Sequence, residues 1–273
     1  MRMQLALALF VLAAATTAQQ PKPEPVILAP ETLQAALREL DKGLASPKLD
    51  ERLAAVRKVG AIDHDRVAAA VARAFTDKET EVRKAAIQAL RAMKNPAALT
   101  QLLGAAERFH EDEALAPTYF LALGQHGDEK ALPVLLDGSW HDRDAKVFDA
   151  RMTAIAHIRS VKSIEALLDL WNKTGKGRNG ANFGRLTQYL NRALRQLTNQ
   201  KDLETAEEWR AFWREHRDTF KVTPEPQGLG RADLNAWKVH WAEPEPKDGK
   251  AGAGGEDPGD REPPTSRRRR KDK

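Results

Sequence analysis

After Asp77 and four further residues comes Val82-Arg83-Lys84-Ala85-Ala86-Ile87-Gln88-Ala89-Leu90. Val82, Ala85, Ala86, Ala89 and Leu90 recur at spacings of three and four, while Lys84 and Gln88 fall on the opposite side. That is the pattern of a helix with one buried face. The pattern returns along the chain. Val56, Ile87, Leu121 and Ile155 stand 31, 34 and 34 residues apart. The positions just before them read Ala55, Ala86, Phe120 and Ala154, and those three residues later read Val59, Leu90, Gly124 and Ile158. Three further on come Ile62, Met93, Gly127 and Val161, and a second apolar block places Val71, Leu102, Leu136 and Leu170 in one column. Two helical blocks per unit, parted by short polar turns, predict a stack of antiparallel helix pairs. The turns read Asp63-His64-Asp65, Lys94-Asn95-Pro96, His126-Gly127-Asp128 and Arg159-Ser160.

With Asp77 before it, the 82–90 stretch resembles the first helix of a HEAT repeat, of the short bacterial type also found in phycobilisome-lyase-like HEAT proteins. The resemblance covers about residues 49–173. It implies an all-α fold, an α-solenoid (armadillo-like superhelix) that offers a long surface for protein–protein interaction. A column four residues before the anchor holds Arg52, Arg83 and Arg151, but Pro117 in the third unit. That unit also has Gly124 and Gly127 at apolar positions, so an irregular helix or bend is expected there.

A second resemblance lies at the end of the body. Ala193-Leu194-Arg195-Gln196-Leu197-Thr198-Asn199, followed by Thr205 to Trp213, is similar to a terminal element of exported bacterial HEAT-repeat proteins, with Asn199 where Gly is usual. Both residue types accept left-handed backbone. Thr205 and Glu208 form the S/T-x-x-E box that starts a helix. Trp209, Phe212, Trp213 and Phe220 then make an apolar stripe, as expected of a structural cap that covers the last face of a repeat stack.

The chain has 273 residues, 6% of them aromatic and only two of them Tyr, too few for an all-β fold. Cysteine is absent, which excludes disulfides, zinc–cysteine sites and thiol nucleophiles. The formal charge of +5 is carried entirely by the last seven residues, with Arg267, Arg268, Arg269 and Arg270 at their head. The rest is balanced.

Arg2 followed by the apolar run 5–15 and the small residues Thr16-Thr17-Ala18 reads as a secretory signal peptide, residues 1–18, cleaved near Ala18. The run is too short to span a bilayer, which needs about 20 apolar residues. The organisation expected is a Pro-rich leader at 19–30 and HEAT-like repeats at 31–174. A basic Gly-rich loop with the cap helices follows at 175–221, then a disordered tail at 222–273. Within that tail the segment 234–241, with Trp237 and Trp241, is able to dock on the body.

The seven His form no HExxH pair, and no GxSxG elbow is present. His110-Glu111-Asp112-Glu113 and His141-Asp142-Arg143-Asp144 are ligand-rich but fall at turns, where solvated polar residues are expected. No catalytic residue, metal or cofactor is assigned. The loop near 174–180 lacks the phosphate-loop spacing, yet Lys173, Lys176, Arg178 and Arg185 give it a positive sign and a possible anion or partner contact. The basic run at 267–270 suits an anionic envelope surface; an exported chain has little use for nucleic acid. The function expected is a monomeric, exported, non-catalytic solenoid that binds a protein or peptide as scaffold or adaptor. The alternatives are an enzyme or enzyme accessory of the HEAT-like lyase type, and a tail-mediated binder of anionic polymer.

Overall fold

The structure is a computed structural model that describes residues 28–139, 144–175 and 180–231, with Leu234, Trp237, Lys238 and Trp241; within 174–185 it describes the backbone alone. Every regular element among these residues is helical. The expected signal peptide and most of the expected leader, residues 1–27, lie outside the described residues, as do most of 232–241 and all of 242–273.

Helix α1 (Pro30–Leu44) opens the stack. Helix pairs follow: α2 (Leu49–Val59) with α3 (Asp65–Ala72), and α4 (Thr80–Ala92) with α5 (Pro96–Gly104). After the single turn α6 (Ala106–Phe109) come α7 (Ala116–Gln125) with α8 (Leu132–Leu136), α9 (Ala145–His157) with α10 (Val161–Gly175), and α11 (Gly180–Thr198) with α12 (Ala206–His216). The first helices pack in succession, α1 on α2, then α4, α7, α9 and α11, and make one layer. In the second layer α3 packs on α5, and α10 packs on both α8 and α12. This two-layer stack is an α-solenoid of HEAT type.

Local chemistry starts and stops these helices. Asn95 accepts a hydrogen bond from Ala98 N at the head of α5, where Pro96 has no N–H that needs an acceptor. His64 Nδ1 and the Asp144 carboxylate do the same for α3 and α9. Acidic Glu81 in the first turn of α4 and basic Arg91 in its last complement the helix dipole. The columns of the repeat supply the core. Val56, Ile87 and Ile155 are buried, as are Ala86, Phe120 and Ala154 beside them and Val71, Leu102 and Leu170 in the second layer.

The third unit departs from expectation. Its first helix, α7, is regular, with Pro117 placed harmlessly in the first turn. At Gly124 α7 comes close against α9: a Cβ there would lie 2.6 Å from Ala154 Cα. The irregularity lies outside α7, in the four-residue α6 before it and the five-residue α8 after it.

The arginine column holds the layer together at the opposite ends of the same helices. Arg52 donates to Asp77 at 2.8 and 3.2 Å, and to the carbonyls of Ser46 and Pro47. Burial opposes the Asp77 charge, but hydrogen bonds from Arg52 and the Glu79 amide outweigh it and hold the carboxyl below its usual range. Arg151 is fully buried and donates to the carbonyls of Val134, Leu135 and Asp137, with its guanidinium 3.8 Å over the Phe120 ring. His110 stands 3.0 Å from it. The ligand-rich segment at 110–113 is thus drawn into the scaffold, with the Asp112 carboxylate accepting from Ala114 N and Leu115 N in the turn before α7 and pairing with Arg83.

Lys173 lies in α10 and the backbone of Arg185 in α11. The expected disordered tail begins too early at 222. Val222 packs on the core, Pro226 is buried, and Trp237 and Trp241 are each only 7% exposed. A Pro- and Gly-rich composition suggests disorder, but two indoles bring enough apolar area to fasten such a segment.

Candidate functional site

The C-terminal ends of the first-layer helices form one edge of the stack. Helix ends leave carbonyls unpaired, and cations or N–H donors satisfy them. Along this edge each unit grips its neighbour through a turn residue. The Asp63 carboxylate accepts from Lys94 N and Asn95 N, both at 3.1 Å. His126 Nε2 donates to the Leu90 carbonyl at 3.1 Å, and His157 Nδ1 to the Gly124 carbonyl at 2.9 Å. Arg159 reaches across to the Gln196 carbonyl at 2.6 Å.

The segment after α12 returns over this edge. Phe220 stacks edge-on against Trp213 and Phe212. The Thr223 carbonyl accepts from Arg159 Nε at 2.8 Å, and its hydroxyl accepts from Asn199 Nδ2 at 3.0 Å. Gln227 N donates to Asn199 Oδ1 at 2.5 Å. Asn199 itself takes the left-handed conformation, φ 62°, that ends α11. Gly228, φ 70°, turns the chain away from this hydrogen-bonded anchor.

Beyond it the contacts change character. The His157 ring stacks on the Trp241 indole at 3.9 Å and 27°, and lies 5.2 Å from the Trp237 ring. Arg91 stands 5.5 Å from the centroid of Trp241, and Arg159 5.7 Å from that of Trp237. Two guanidiniums and an imidazole thus seat two indoles, an arrangement in which cation–π attraction adds to apolar burial. The carbonyl of Gly124 can only accept, so Nδ1 of His157 carries the proton. Burial pushes the imidazole down to about 4; the Gly124 bond opposes this, and the charges of Arg159 and Arg91 reinforce it. His157 is therefore neutral at pH 7. Burial also lowers Arg159 to about 10 and holds His126 below its usual range.

The cap is built by hydrogen bonds as well as packing. Thr205 Oγ1 accepts from Glu208 N at 3.2 Å while the Glu208 carboxylate accepts from Thr205 N at 2.8 Å. Trp209, 1% exposed, donates its indole N–H to Asn191 Oδ1 at 2.7 Å, and Asn191 in turn donates to the Glu204 carbonyl. Trp213 is also buried.

Of the basic residues expected to contact a partner, Lys173 is exposed at the end of α10. The Arg185 side chain, Lys176, Arg178 and Arg267, Arg268, Arg269 and Arg270 lie outside the described residues. Among the described residues no group of three or more His, Cys, Asp or Glu stands ready for a metal ion. No described helix is long and apolar enough to cross a membrane. Sequence reasoning did not reach Arg91, His157 or Arg159, because their partners come from separate units and from the far end of the chain. The usable signal was the four-residue spacing of Trp237 and Trp241, which repeats that of Trp209 and Trp213.

A family model for HEAT repeats matches residues 36–116, from within α1 to the start of α7. That stretch therefore carries HEAT repeats, and α9 to α12 continue the stack beyond it in the same two layers. No curated protein matches the chain.

Proposed function

We propose that this protein is an exported, non-catalytic HEAT scaffold that binds a protein or peptide partner. HEAT repeats form helical scaffolds often used for protein interaction, which supports the coarse reading. The observation that carries it furthest is that the stack already holds residues from the far end of its own chain: Gln227, Trp237 and Trp241 lie on the edge made by Arg91, His157 and Asn199. Export rests on Arg2, the apolar run 5–15 and Ala18.

N-terminal sequencing of the protein from its native cell tests export. A mature chain beginning near Gln19 supports it; an intact N-terminus contradicts it. Saturable, stoichiometric binding to a purified envelope protein, retained after removal of residues 267–270, supports the scaffold role. Binding lost with those four arginines favours the second reading, in which the basic run holds the protein to an anionic polymer or lipid surface.

A further inference from the structure

The segment after α12 is attached at two places of different kinds. The first, at Thr223 and Gln227, is a set of directed hydrogen bonds to Arg159 and Asn199. The second, at Trp237 and Trp241, is made by ring faces over His157, Arg91 and Arg159. Between them lie Gly228 in left-handed backbone, Gly230, and the exposed Arg231; Lys238 between the two indoles is exposed as well. The two attachments thus differ in kind, with Gly228 in left-handed backbone between them.

What the indoles leave behind is a built receptor. Its floor is the His157 imidazole, fixed by its bond to Gly124 on α7. Its walls are two guanidiniums that are themselves tied down, Arg91 through Gln125 and Arg159 through Gln196. Such a seat recognises an electron-rich aromatic face by stacking and cation–π attraction, and indole is the best side chain for that. A pair of indoles four residues apart sits on one side of a helical turn, which matches the two ring contacts.

We infer that Arg91, His157 and Arg159 form a binding site for a tryptophan-bearing peptide of W-x-x-x-W spacing, with Trp237 and Trp241 as its resident, exchangeable occupants. The tether keeps the resident indoles at an effective concentration on the order of millimolar. A free peptide must therefore outcompete them in the intact protein, and binds freely only when they are gone. This holds whether or not the protein is exported.

The test uses the full chain and a synthetic peptide of residues 230–245. The double variant Trp237→Ala, Trp241→Ala, shown to be helical by circular dichroism, should bind the peptide at least tenfold more tightly than the parent does. Adding His157→Ala to that variant should weaken binding tenfold or more, and the peptide with both Trp changed to Ala should not bind. Equal binding to parent and double variant would place the peptide elsewhere and overturn the site. So would a folded double variant that does not bind. In the parent protein, hydrogen exchange should be faster at 231–241 than at 223–227; equal exchange would show one rigid attachment and overturn exchangeability.

Discussion

His157 and Trp241 stack face to face at 3.9 Å, with the imidazole held neutral by burial and its Nδ1 proton committed to the Gly124 carbonyl. The contact joins the end of α9 to the last described residue of the chain, and through Gly124 it also engages α7. One titratable ring thus lies between the repeat stack and its strap.

Acid should loosen the strap. In the docked state the His157 pKa is about 4, whereas an imidazole exposed by strap release returns toward 6.5. The docked state then binds fewer protons, so docking is strongest above pH 6.5. It weakens as pH falls from there toward 4, by at most about tenfold per unit. The indole N–H resonances of Trp237 and Trp241 should move toward free values over that window. His157→Phe, which keeps a ring but cannot titrate, should remove the dependence.

The close approach of α7 to α9 at Gly124 should tolerate no methyl group. Gly124→Ala places a Cβ against the Ala154 backbone, which cannot swing aside, so α7 and α9 must part; a loss of about 1–3 kcal/mol is expected. Gly104 at the end of α5 has nothing within 4 Å of its Cβ position and no positive φ. Gly104→Ala should leave stability unchanged or raise it by about 0.4–1 kcal/mol, since it restricts the unfolded chain. Urea denaturation of both variants measures the contrast.

Ion pairs should differ by burial. Arg52 and Asp77 have side chains 5% and 9% exposed, so Arg52→Ala strands a carboxylate and should cost about 3 kcal/mol or more. Lys58 and Glu39 are 70% and 45% exposed, and Lys58→Ala should cost less than about 1 kcal/mol. Thermal melts at low and high salt separate the two, with only the Lys58–Glu39 contribution screened away.

Much of this fold is written in short-range patterns. The columns through Val56, Ile87 and Ile155 announce the first layer, because a buried helix face must repeat its apolar residues every three or four positions. The start of α12 is legible from Thr205 and Glu208 alone, since a capping box needs only four residues. Gly124 misleads in the sequence, where it resembles a break; its role depends on Ala154, a residue of the next unit. The candidate site was the least legible part. Arg91 and His157 end separate helices and Arg159 lies in a turn, and the three acquire a common purpose only when the chain returns with its indoles. Composition at 222–273 points the other way, with seven Pro and seven Gly, while Trp237 and Trp241 within it are buried on the stack.

The cap should behave as part of the core. Trp213→Ala removes a buried indole that packs on Phe220 and should cost about 3–5 kcal/mol. Because α12 packs on α10 and α10 on α11, amides in 161–198 should exchange faster in the variant. Unchanged protection there would make the Trp pair a surface feature.

Hydrogen exchange on the full-length Trp237→Ala, Trp241→Ala variant, compared with the parent at pH 7, tests the strapped solenoid most directly. If the indoles fasten the edge, protection falls at the ends of α4, α7 and α9, around 91–95, 124–128 and 157–160, while the far ends of those helices and the 223–227 anchor keep theirs. Identical exchange at all three helix ends would contradict the strap, leaving the C-terminal segment a passenger on the HEAT stack.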